Sequence, residues 1–215
     1  MDWTASIDSY CERTGPEFWS EPINAVTNLG FLLAACVMAW RLRGTQLPLA
    51  WGMVWVLAAI GIGSFLFHTF ATPWAALADT VPILCFVLLY IFAANRDYWQ
   101  MTRRRAALVT LAFLPFAALT TPLFAMIPGA AGSAAYMPVP TVILIYAALL
   151  RRRAPATARG LAIGGGLLCL SLTFRSLDLP TCAGLPNGTH FLWHLTNAFM
   201  LGWMIETYRR HPRPT

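Results

Sequence analysis

Long apolar stretches recur through this chain, separated by short loops, and they dictate what it can fold into. A helix needs roughly 20 apolar residues to cross a hydrocarbon layer of about 30 Å. On that ruler seven stretches qualify, at about 22–42, 50–70, 75–94, 105–127, 134–150, 157–177 and 189–208. Backbone N–H and C=O groups inside lipid must be satisfied within the segment, so these stretches are expected to be helices. With 58% hydrophobic and 11% charged residues among 215, the chain is read as an integral membrane protein of one domain, residues 1–215. The expected fold is an all-α bundle of seven transmembrane helices. Pro82, Pro115, Pro138 and Pro140 predict kinks within it.

Arginine sets the expected orientation, because it supplies all 15 basic residues. Arg41 and Arg43 fall in the first loop, Arg96 and Arg103 to Arg105 in the third, Arg151 to Arg153 and Arg159 in the fifth, and Arg209, Arg210 and Arg213 in the tail. The even-numbered loops have none. The segment 1–21 carries Asp2, Asp8, Glu12, Glu17 and Glu21 against Arg13 alone, and it lacks the basic start and apolar run of a cleavable signal. The positive-inside rule then places the N-terminus outside and the basic tail, 209–215, in the cytoplasm. The net charge of +6 reports topology, and no basic segment is interleaved with stacking aromatics as a nucleic-acid site would require.

Three of the four histidines, His68, His190 and His194, lie inside the apolar stretches. An ionisable side chain there is costly and marks function by default. Ser64 and His68 are four residues apart, as are His190 and His194, so each pair shares a helix face, and Asn197 continues the second face. With the expected orientation, Ser64, His68, Asp79, His190 and His194 fall in one leaflet. Two histidines one turn apart plus a third from another helix match a three-nitrogen zinc site with an open fourth position. Helix-packing hydrogen bonds and haem ligation are the competing readings. Arg175 and Asp178, three apart, read as a structural pair, and His211 as a tail residue of little consequence.

The segments YCERTGPEFWSEPINAVTN (10–28), SFLFHTF (64–70), FRSLDLP (174–180) and GTHFLWHLTNAF (188–199) resemble, in order and spacing, those of the alkaline ceramidases. That family belongs to a superfamily of seven-span hydrolases and adiponectin-type receptors. The resemblance implies zinc held by His68, His190 and His194, with Asp79 as general acid/base and Ser64 as oxyanion donor. It implies hydrolysis of a ceramide-like membrane lipid to a fatty acid and a sphingoid base. Phe65, Phe67, Phe191 and Trp193 are candidates to line an acyl tunnel. A seven-span receptor or sensor with a structural zinc is the alternative. A metal transporter fits less well, since the polar residues keep to one leaflet.

The eukaryotic relatives also carry calcium beside the N-terminus. Glu12 and Glu21 match two of its acids, while Tyr10, Ser9 and Thr14 depart from the pattern and Asp8 is displaced by one. Calcium through Asp8, Glu12 and Glu21 is therefore implied only weakly, since the ion takes six to eight oxygens. Glu21 before Pro22 also reads as a helix start. Cys11 and Cys182 both fall on the expected outer side, where an oxidising compartment permits a disulfide, and the resemblance points the same way. Arginine without lysine and abundant alanine suggest a GC-rich bacterial genome, hence an inner cell membrane.

Overall fold

A computed structural model of the protein describes residues 2–213. Its regular structure is all helical among the described residues, as α1 (Pro22–Arg41), α2 (Pro48–Phe70), α3 (Pro73–Asp97), α4 (Arg103–Ala125), α5 (Pro138–Leu150), α6 (Pro155–Thr181) and α7 (His190–Arg210). Asn28 interrupts α1 and Ala112 interrupts α4, and a short 3-10 turn, Ala131–Tyr136, precedes α5. Proline explains many of the boundaries. Helices α1, α2, α3, α5 and α6 all begin on one, where the missing N–H has no intrahelical partner to lose and φ is already helical. The fifth stretch accordingly starts its α-helix at Pro138, later than the apolar pattern suggested.

Five of the helices, α1, α2, α3, α4 and α6, are long and apolar enough to cross a membrane. Helix α5 has only 13 residues. Helix α7 has 21, but His190, His194, Asn197 and Glu206 dilute its apolar character. The outward surface is what a lipid environment demands, with Leu33, Trp55, Leu119 and Phe199 all exposed. The core between the helices is built from Phe31, Met53, Leu57, Ile60, Leu161, Leu172 and Ile205.

The bundle has two chemically different ends. At one, Glu206 accepts from Arg41 (3.0 Å), Arg209 (2.7 Å) and Arg210 (2.5 Å). Nearby, Asp97 accepts from Arg96 and from the Tyr208 hydroxyl. His211, expected to be an idle tail residue, is buried there against Tyr98, with Nδ1 2.8 Å from Thr157 Oγ1. At the other end lie the N-terminal segment, the α2–α3 turn and the start of α7. The Ile7 amide donates to the Ala71 carbonyl (2.7 Å), which ties the segment to that turn.

Helices α2 and α3 come into close backbone contact at Gly63. A Cβ added there would run into the Ala78 carbonyl and the Asp79 amide. The carbonyl is available because Pro82, four residues on, has no N–H to donate to it. Glycine on one helix and proline on the other thus bring Ser64 and Asp79 to the same contact. Gly63→Ala is expected to cost about 1–3 kcal/mol through overpacking. Thermal unfolding in detergent should show it as a lowered midpoint, and an unchanged midpoint would remove Gly63 from this role.

Candidate metal centre

Helix α2 delivers Ser64 and His68, α3 delivers Asp79, and α7 delivers His190, His194 and Asn197, all of them buried. One ring nitrogen from each of His68, His190 and His194 lies within 4.8 Å of the other two. Among the described residues, this is the one cluster of histidine, cysteine and carboxylate groups that can hold a metal ion.

The outer nitrogens of two rings decide what the inner ones can do. His68 Nδ1 is 2.5 Å from Glu21 Oε2, and a carboxylate only accepts, so Nδ1 carries the proton. His194 Nδ1 is 2.9 Å from Thr27 Oγ1. The Thr27 hydroxyl donates its single proton to the Ile23 (2.8 Å) or Asn24 (3.0 Å) carbonyl, so toward His194 it accepts. Both rings are thereby fixed as Nδ1–H tautomers whose Nε2 keeps its lone pair, and neither Nε2 has a protein partner. His190 has no partner at either nitrogen. Its ring is held by stacking, on Tyr10 at 3.7 Å and Trp193 at 5.0 Å between centroids. Buried nitrogens are normally hydrogen-bonded. A set left bare and mutually facing fits a metal ion, and the donors suit zinc.

The start of α7 is fixed from another helix. Asp178, near the end of α6, accepts at Oδ1 from the Thr189 (2.7 Å) and His190 (2.8 Å) amides and at Oδ2 from the Cys11 amide (3.0 Å). It satisfies N–H groups that a helix N-terminus leaves open and favours the positive end of the helix dipole. The expected pairing with Arg175 is therefore absent among the described ion pairs. Arg175 instead donates to the Gly132 carbonyl and lies over the Tyr136 ring. A Cys11–Cys182 disulfide closes the same corner.

Asp79, buried on α3, lines a cleft of about 730 Å³ together with Tyr10, Phe67, Thr80, Tyr136 and Arg175. Ser64 Oγ and Asp79 Oδ1 have no protein partner. A separate apolar cavity is lined by Ile60, Phe86, Tyr136, Leu168, Trp193 and Met204, and Tyr136 borders both it and the cleft. Of the anticipated tunnel residues, Trp193 lines this cavity and Phe67 the cleft. Phe65 packs against Phe18 and Trp19 instead.

The acids anticipated as calcium ligands are placed differently. Glu12 accepts from the Ile23 (2.6 Å) and Asn24 (2.7 Å) amides and so caps α1. Glu21 accepts from Arg13 Nε (2.5 Å), His68 Nδ1 and Asn24 Nδ2 (3.1 Å). Burial alone would raise the Glu21 carboxyl, but the His68 ring and the Arg13 guanidinium outweigh it and hold it below the ordinary range. Burial pushes the Tyr10 hydroxyl up, with Arg175 opposing. Asp8 is exposed at the cleft rim and does not join the other two acids.

Arg13, Thr27 and Tyr10 are the site residues that sequence reasoning passed over. Thr27 had a signal: with Asn24 and Asn28 it forms a polar face, at spacings of three and four, inside an apolar stretch. Thr27→Val should leave the fold intact and remove the acceptor behind His194. Loss of such an outer-shell partner typically costs 10–100-fold in metal affinity. A competitive zinc titration checks this, and unaltered affinity would separate Thr27 from the site.

No curated protein matches the chain. The family model described as Ceramidase matches residues 2–208. Its span takes in the histidine cluster, the cleft and the capped start of α7 alike, and the chain belongs to the ceramidase family.

Proposed function

We propose that this chain is a zinc-dependent intramembrane hydrolase of lipid amides, which cleaves a ceramide-like lipid to a fatty acid and a sphingoid base. The observation that carries the reading is the trio of buried imidazoles with bare, mutually facing nitrogens beside a carboxylate that opens to a cleft. Membership of the ceramidase family supports the reaction class. The two other helices, α5 and α7, are read as spans as well, giving seven, with the N-terminus outside and the arginine-rich end cytoplasmic.

His68, His190 and His194 would hold the zinc, which when bound would supply Lewis acidity and a water of lowered pKa. Asp79, at the cleft wall, takes a proton from the attacking water and returns it to the departing amine nitrogen. Ser64 Oγ, free of protein partners, donates to the oxygen on which charge develops. The apolar cavity lined by Trp193 offers a hydrocarbon chain a place beside the reacting centre.

Purified protein incubated with short-chain ceramide should release fatty acid and sphingoid base, read by mass spectrometry. No release at full zinc occupancy would favour the receptor or sensor reading. His190→Ala should lose both zinc and turnover. Asp79→Asn should keep the metal and lose about 10²–10⁴-fold in turnover. An active Asp79→Asn chain would take Asp79 out of the reaction.

A further inference from the structure

Three oxygens from three separate parts of the chain converge on one buried guanidinium. Arg13 donates through Nε to Glu21 Oε1 (2.5 Å), through Nη1 to the Gly15 carbonyl (2.8 Å) and through Nη2 to the His68 carbonyl (3.1 Å). The Arg13 and Glu21 side chains are each only 1% exposed. Carboxylate and carbonyl oxygens gathered around a centre of positive charge are the donor set of a hard divalent cation. Here the charge is covalently part of the chain.

The same contacts show why calcium does not fit. Both Glu12 oxygens are engaged by backbone amides at the start of α1, and Asp8 stands apart at the cleft rim. Glu21 presents one oxygen to Arg13 and the other to His68 and Asn24. A calcium ion seeking six to eight oxygens would have to displace the guanidinium from the acceptors it already holds. We propose that Arg13 is the resident cation of this site, standing where a divalent ion would otherwise sit, and that the protein holds its metal centre in place without calcium.

Arg13 acts through other groups and is a positioning residue. It holds Glu21 from one side while His68 holds it from the other, and it grips the His68 carbonyl directly. The N-terminal segment, the start of α1 and the end of α2 are thus joined at a single charged group. Planarity matters, because a guanidinium satisfies several acceptors in fixed directions while an ammonium offers a compact point charge.

The test uses the purified full-length protein, zinc-loaded, with calcium added as chloride rather than removed by chelators, which would strip zinc as well. Wild type should retain no calcium after desalting, measured by elemental analysis, and its unfolding midpoint should not move in millimolar CaCl₂. Arg13→Ala should unfold at a lower temperature and recover part of that loss in CaCl₂ but not in MgCl₂, since magnesium gives up its waters reluctantly. Arg13→Lys, which keeps one positive charge, should be less impaired and indifferent to calcium. One calcium per wild-type chain, or a wild-type midpoint raised by CaCl₂, would overturn the proposal. So would an Arg13→Ala chain that calcium leaves unchanged, or an Arg13→Lys chain that calcium stabilises. These readouts do not involve lipid hydrolysis, so they stand or fall separately from the proposed reaction.

Discussion

An imidazole nitrogen buried among helices needs a partner, and one end of this bundle is organised around three that have only each other. The arrangement works because the opposite edges of two rings are already occupied. Glu21 stands behind His68 and Thr27 behind His194, so both rings turn a lone pair inward. His190 lacks such a partner and is held by aromatic faces. The polar groups of the N-terminal segment and of α1 are therefore as much a part of the centre as the histidines themselves.

Fixing those directions requires fixing helices, and each is aimed by a local device. Gly63 and Pro82 let α2 and α3 meet at Ser64 and Asp79. Asp178 holds the first amides of α7, which sets where His190 begins. The Cys11–Cys182 bridge and the Asp178 contact to the Cys11 amide bind the N-terminal segment over the same corner. The opposite end is held by the charges around Glu206 and Asp97. Positive charge lies at that end and the buried histidine cluster at the other, so the two ends differ in chemistry.

The helices and the three histidines were legible in the sequence for the same reason. Apolar stretches of that length have few alternatives, and a polar group set into one is conspicuous against that background. The final helix was legible as a periodic segment even though its site residues dilute its hydropathy. Arg13 was not legible, since a single arginine in an acidic segment looks like an ordinary surface charge until the chain is folded over it. The Arg175 and Asp178 spacing misled because three residues bring side chains near each other on one helix, whereas the open amides of α7 made a stronger claim on the carboxylate. His211 was misjudged likewise: its neighbours Thr157 and Tyr98 are distant in sequence, so nothing local announced them.

Helix α1 packs against α7, so the first and the final helix of the chain are neighbours. Glu21 and Thr27 leave the ribosome ahead of the two histidines of α7, which follow about 160 to 170 residues later. A chain arrested before that point displays the supporting groups without the ligands they support. An ion held by the three histidines would thereby be captured only once α7 has closed against α1, and its uptake would report that the bundle has closed.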